Sequence, residues 1–181
     1  MLVAARDAAL RRIGSDGSVA GLPRLAVYAA DRTYSTFFKA CRLAGFDPAN
    51  IRSIPTTGAD TDYSLDPASC RPTSRADVAA GLMPTYVCVM VGTTWSNAVD
   101  PVGAIADVAA MFKAWVHIDA AYAGSACICP EFRHHLDGVE RVDSISMNQH
   151  KWLLTCLHVP LGARHAPAHG LAGDQPGVPE K

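Results

Sequence analysis

The chain has 181 residues, with 16 Lys and Arg against 17 Asp and Glu and a net charge of −1. That length suffices for one domain with a real core, and so even a balance lacks the basic stripe of a phosphate-backbone binder, which excludes nucleic acid as the expected partner. The longest apolar run, Tyr86–Val91, is far too short to cross a bilayer, and the N-terminus carries Asp7 and no continuous apolar stretch, so neither a membrane span nor a secretory leader is expected. The six cysteines have no zinc or thioredoxin spacing, since Cys127 and Cys129 form CxC. They read as small buried side chains in a reducing compartment, which makes the expected location cytoplasmic.

In chain order, "LVAARDAALRRI" predicts a helix stopped by Gly14. "LAVYAA" (25–30) predicts a strand buried on both faces, because its apolar residues do not alternate with polar ones. "STFFKACRLAG" (35–45) predicts a second helix, and "IRSIPT" a second strand. Residues 56–75 are turn-rich, and "ADVAAGL" (76–82) predicts a short helix. "TYVCVMVGTT" (85–94) is the clearest strand. Asp100 is expected to cap the next helix, with Pro101 at its first position and Ile105, Val108, Ala109 and Phe112 on one face. "WVHIDAAY" (115–122) and "SISMN" (144–148) predict two more strands, with a helix expected in "EFRHHLDGVE" between them. The final stretch, 158–181, is rich in Pro, Gly and His, lacks periodicity and is expected to be disordered.

Strands alternating with helices predict an α/β fold with a mostly parallel sheet flanked by helices. Ligands of such sheets sit beyond the carboxyl ends of the strands. That rule selects "GTT" at 92–94, "DAAYAG" at 119–124 and "NQHK" at 148–151. Asp119 ends a buried strand, where a lone carboxylate costs several kcal/mol (roughly, for a relaxed interior) unless it is paired. The small residues Ala120, Ala121, Ala123 and Gly124 beside it leave space for a flat ligand. Lys151 is a second charge in apolar company, among Ile145, Met147, Trp152, Leu153 and Leu154. Each alone has a commoner role, Asp119 as a cap or ion-pair partner and Lys151 as a snorkelling side chain. Together they point to a lysine amine that reacts with an aldehyde cofactor. The aspartate would then hold the pyridinium nitrogen of pyridoxal phosphate.

The stretch "HIDAAYAGSACICPEFRHHLDGVERVDSISMNQHKWLLT" resembles the core of the group II pyridoxal-phosphate-dependent decarboxylases. Within them it is most similar to the aromatic-L-amino-acid decarboxylases, the plant tyrosine and tryptophan decarboxylases in particular. "ADRTYSTFFKACRLAGFDPANIR" and "PTYVCVMVGTT" match in the same order, so the resemblance covers residues 1–157. It implies a partial large domain of the fold-type I, aspartate-aminotransferase-like architecture. It also implies loss of carbon dioxide from tyrosine, dopa or tryptophan to give an arylalkylamine. The cofactor would be pyridoxal 5′-phosphate, and the assembly a homodimer. Lys151 would be the Schiff-base lysine, with His150 beside it as a catalytic and cofactor contact. Asp119 would pair with the ring nitrogen, Ala121 would pack under the ring, Thr94 would neighbour both, and Asn148 would lie near the phosphate.

The chain departs from the family pattern at four points. Tyr34, in "DRTYST", stands where the family has a histidine that stacks on the ring; tyrosine can stack but brings no imidazole near neutral pH. The phosphate-binding segment expected just before "LVAARD" is absent from the sequence, as are the loop with the catalytic tyrosine and the small C-terminal domain. Residues 158–181 read as an out-of-frame tail. Codons for the family's "ETNPEYLK", read one base upstream, give "GDQPGVPE", the sequence at 173–180. Genomic codons without that relation would refute the frame shift. Two readings therefore stand side by side, an aromatic-amino-acid carboxy-lyase and a catalytically inactive remnant of one. A third, a metal held by His117, His134 and His135, is weaker, because adjacent histidines point apart on a strand or helix; no metal site is expected.

Overall fold

A computed structural model describes residues 1–14, 24–56, 62–156 and 160–164. Four helices lie among these, α1 (Leu2–Arg12), α2 (Thr36–Leu43), α3 (Pro67–Ala79) and α4 (Val102–Ala110). The six strands are β1 (Leu25–Ala30), β2 (Ile51–Ile54), β3 (Met83–Met90), β4 (Trp115–Asp119), β5 (Ser144–Asn148) and β6 (Pro160–Arg164). They form one sheet in the order β2-β1-β3-β4-β5-β6, parallel except for β6, which runs antiparallel to β5. The chain winds outward from β1 to β2, then returns to lay β3 on the other side of β1. This reversal opens a crevice at the carboxyl ends of β1 and β3, the place where doubly wound sheets bind ligands.

Both faces of the sheet are covered, and the strands show why. All six residues of β1 are buried. Leu25, Val27 and Ala29 pack with Ala5, Ala9, Phe37 and Cys41 of α1 and α2. Ala26, Tyr28 and Ala30 face the other way, toward Leu65, Cys70, Val102 and Ile105. A period of two distributes one apolar strand between two helical layers. Pro84 interrupts the central strand β3, where it cannot donate to the ladder. The pairing of β1 with β3 shifts register between Ala26 and Val27, opposite Pro84, and that irregularity absorbs the missing donor.

The elements differ from expectation in several places. Helix α3 starts at Pro67, well before the expected 76, because Asp66 caps it through the Ala68 N–H (2.8 Å) and Pro67 occupies its first turn. The interior Pro72 hides this helix from a sequence reading. Its buried Asp77 accepts from the Tyr28 hydroxyl (2.7 Å) and from Arg52 Nε (3.0 Å), tying α3 to β1 and β2. Asp100 does not cap α4. Pro101 holds the cap position, and the Asp100 carboxylate instead accepts from the backbone N–H of Leu65 and of Met90, each at 2.7 Å. Strand β3 ends at Met90 and β4 at Asp119, each short of the expected end, although Val91 N–H still donates to the Asp119 carbonyl and Ala120 N–H to the Ser146 carbonyl before the chain turns. The expected helix in "EFRHHLDGVE" is instead 3-10 backbone at Pro130–Leu136 and Val139–Arg141, broken at Gly138, whose φ is +94°. Within the expected tail, Pro160–Arg164 pairs as β6; 158–159 and 165–181 lie outside the described residues.

Candidate functional site

Parallel strands bring their carboxyl ends to one edge of the sheet, and every residue assigned from sequence follows one of those ends. Tyr34 follows β1, Thr94 follows β3, Asp119 and Ala121 close β4, and Asn148, His150 and Lys151 close β5. Asp119 and Ser146 are directly paired in the β4–β5 ladder, and Met90 pairs with Asp119 on the other side. The topology therefore places the set along one edge of the sheet.

Asp119 is half-buried, and its Oδ1 accepts the backbone N–H of Ala121 at 3.0 Å. Its other oxygen has no partner among the described residues. The turn that follows is packed too tightly for larger side chains. A Cβ on Gly124 would come within 2.7 Å of Ala120 Cβ, and one on Gly92 would collide with Ala123. Ala120 is fully buried, and Ala121 is partly open. Asp119 also lines a cavity of about 500 Å³ with Ser146, His117, Cys88, Phe37 and the first residues of α1. Burial pushes the Cys88 thiol well above its usual range, so it is a neutral wall of that cavity.

Lys151 differs from its expected setting. It ends a 3-10 turn, Gln149–Lys151, that carries no buried residue, and it is exposed. Of its apolar neighbours, Trp152, Leu153 and Leu154 are exposed, Leu154 fully, while Ile145 and Met147 on β5 are partly buried. His150 is half-buried, and its Nδ1 is buried without a hydrogen-bond partner. Thr94 and Tyr34 are exposed, and neither lines the Asp119 cavity; the same holds for His150 and Lys151. Adjacent Thr93 is spent on the turn, its hydroxyl meeting Ser96 Oγ at 2.7 Å and accepting from Ala98 N–H at 3.1 Å.

One group went unassigned from sequence. His117 bonds Ser144 Oγ through Nδ1 (2.8 Å) and Ser146 Oγ through Nε2 (3.3 Å), and Trp115 Nε1 donates to the same Ser144 Oγ (2.8 Å). Burial drives the His117 pKa down to about 4, against the charge of Asp119, which raises it. The available signal was the two-residue period that sets Trp115, His117 and Asp119 on one face of β4.

An aspartate oxygen and a buried histidine nitrogen, each without a partner among the described residues, and the small residues beside the aspartate fit a flat, polar-rimmed ring such as pyridoxal. The comparisons with known proteins agree. The family model for the pyridoxal-dependent decarboxylase conserved domain matches residues 1–161. Tryptophan decarboxylase 1 of Oryza sativa subsp. japonica is 82% identical over 156 residues, which are 86% of this chain and 30% of that protein. The crystal structure of Oryza sativa TDC with PLP superposes with a TM-score of 0.87 at 79% identity, over 90% of this chain and 34% of that one. Catharanthus roseus tryptophan decarboxylase in complex with L-tryptophan gives 0.81 at 50% identity, over 86% and 32%. The chain thus spans about a third of the length of the relatives it matches. Its fold is that of the fold-type I pyridoxal-phosphate decarboxylases, and the chain belongs to the pyridoxal-dependent decarboxylase family.

Proposed function

We propose that this chain carries cofactor-binding residues of an aromatic-L-amino-acid decarboxylase, with pyridoxal 5′-phosphate as cofactor and tryptophan first among its substrates. Tryptophan comes first because the relative at 82% identity is named for it. The observation that supports the reading is the placement of Asp119 at the end of β4 and of Lys151 in the turn just after the end of β5, its parallel neighbour, with the small residues Ala120, Ala121, Ala123 and Gly124 following Asp119. Pyridoxal phosphate, when bound, supplies an electron-accepting ring for the pair left behind as carbon dioxide departs. The free oxygen of Asp119 accepts the ring N–H and favours the protonated ring. Ala121 provides an apolar floor, and Lys151 offers its primary amine to the cofactor's aldehyde. Asn148 and His150 hold the cofactor's polar rim, and Thr94 and Tyr34 flank the crevice at the ends of β3 and β1. The proposed assembly is a cytoplasmic homodimer. Among the described residues no helix is long and apolar enough to cross a membrane.

Tyr34 favours a second reading, in which the chain holds the cofactor without turning substrate over. A tyrosine ring stacks but supplies no imidazole proton near neutral pH.

Borohydride reduction of the 181-residue chain with pyridoxal phosphate, read by peptide mass, is the test. The adduct is expected on Lys151 and not on Lys39 or Lys113, although both are exposed and Lys113, expected on a helix, stands in the turn after α4. An adduct on either of those with Lys151 unmodified would refute the site. Tryptamine release from tryptophan by the same sample separates the carboxy-lyase from the inactive reading.

A further inference from the structure

We propose that Trp152 is a positioning residue for Lys151, acting through its ring contact with Tyr122. The two rings form a clasp between the turn that follows β4 and the turn that follows β5. The proposal rests on reading Asp119 and Lys151 as two grips on one pyridoxal ring.

The rings of Tyr122 and Trp152 meet edge to face, with centroids 5.8 Å apart and planes at 79°. That is a favoured geometry for an aromatic pair. Neither ring belongs to the core, since Tyr122 is 41% and Trp152 47% exposed, so the contact is no by-product of packing on the sheet. Each ring is fastened to one grip by a short stretch of backbone. Tyr122 follows Ala121, whose N–H donates to Asp119 Oδ1 at 3.0 Å. Trp152 follows Lys151, and the N–H groups of Trp152 (3.2 Å) and Leu153 (2.8 Å) both donate to the Gln149 carbonyl. Lys151 therefore sits inside a closed turn, and fixing Trp152 fixes the backbone that carries its amine. Lys151 itself is exposed and gains no hold from burial. The ring nitrogen and the aldehyde of pyridoxal lie across the ring from each other, so the two grips act on one rigid body. A second grip held at a set spacing from the first engages at lower entropic cost. The clasp thus acts on the second grip, in which the lysine nitrogen bonds to the aldehyde carbon and the aldehyde oxygen leaves as water.

Two ligands separate the grips in the 181-residue chain. Pyridoxine 5′-phosphate keeps the ring but has no aldehyde, so its affinity bypasses Lys151. Pyridoxal 5′-phosphate, trapped with borohydride and read by peptide mass, reports Lys151. Trp152→Ala is expected to raise the concentration for half-maximal trapping on Lys151 about two- to tenfold, the worth of one aromatic pair. Its affinity for pyridoxine 5′-phosphate should stay within about twofold of wild type. Trp152→Phe and Tyr122→Phe, which each keep a ring, should stay within about twofold for both ligands. Adding Tyr122→Ala to Trp152→Ala should cost no further trapping. Equal losses for both ligands in Trp152→Ala would mean that Trp152 only supports the fold, and unchanged trapping would mean that the clasp holds nothing. Either result would overturn the proposal. If wild-type Lys151 is not trapped, the cofactor reading fails instead, and the 15N heteronuclear NOE of the Lys151 amide decides the clasp. It should fall in Trp152→Ala and hold in Trp152→Phe, and a value unchanged in Trp152→Ala would sink the clasp.

Discussion

Asp100→Ala is expected to destabilise the chain by about 2–4 kcal/mol, measured by urea denaturation. The carboxylate is 1% exposed, and it holds two backbone donors, Leu65 N–H and Met90 N–H. Each buried N–H stripped of its acceptor costs roughly 1–3 kcal/mol, partly offset here because a buried carboxylate is removed as well. Met90 ends β3 and Leu65 precedes α3, so Asp100 fastens the loop before α3 to the strand that borders the crevice. Asp100→Asn keeps one acceptor and should lose less. The pH dependence has a definite sign. Burial raises the Asp100 pKa from 3.8 to about 6, so between those values the native state holds a proton that the unfolded chain has released. This group's contribution to stability therefore falls as pH rises through that window. His117 acts oppositely, because its pKa falls from 6.5 to about 4 on folding and its contribution rises with pH there. The two slopes largely cancel in wild type, and the Asp100 slope is read as the difference between wild type and Asp100→Asn. An Ala variant within about 0.5 kcal/mol of wild type, the range of an ordinary surface change, would mean that both N–H groups find other acceptors.

The strands and the site edge were legible because they follow from local pattern. Unbroken apolar runs such as "LAVYAA" announce strands covered on both faces, and the parallel order then brings their ends together. Asp119 and Lys151 could be placed at that edge from this alone. What was not legible depends on contacts between distant segments. Asp100 sits where an N-cap belongs, next to a proline and an apolar helix, yet two backbone donors from elsewhere, Leu65 and Met90, recruit it. Helix α3 carries an interior proline that lowers its local propensity, and its tie through Asp77 to Tyr28 and Arg52 spans 49 and 25 residues. The exposure of Lys151 follows from a 3-10 turn, whose geometry no periodicity announces. In the sequence His117 stands out only as a metal ligand, because its partners Ser144 and Ser146 lie on another strand and become neighbours only through register.

Replacing Asp119 should have the largest effect on cofactor binding, and two replacements separate its two roles. The carboxylate accepts from Ala121 N–H with one oxygen, and the other has no partner among the described residues. Asp119→Asn retains an oxygen for Ala121, so the turn survives. It turns an amide N–H toward the ring nitrogen, donor against donor, and removes the negative charge. Asp119→Ala loses the turn contact too. A hydrogen bond to a charged group is worth about 1.5–3 kcal/mol, so both variants should bind pyridoxal phosphate roughly ten- to a hundredfold more weakly. Only the Ala variant should also melt lower, because a half-buried backbone bond contributes about 1 kcal/mol. The absorbance of the bound cofactor provides an independent check, since a ring that is no longer held protonated absorbs differently. If Asp119→Asn kept both affinity and spectrum while Asp119→Ala lost stability alone, the carboxylate would be a turn-former, and the ring nitrogen would have to find its partner elsewhere along the strand ends.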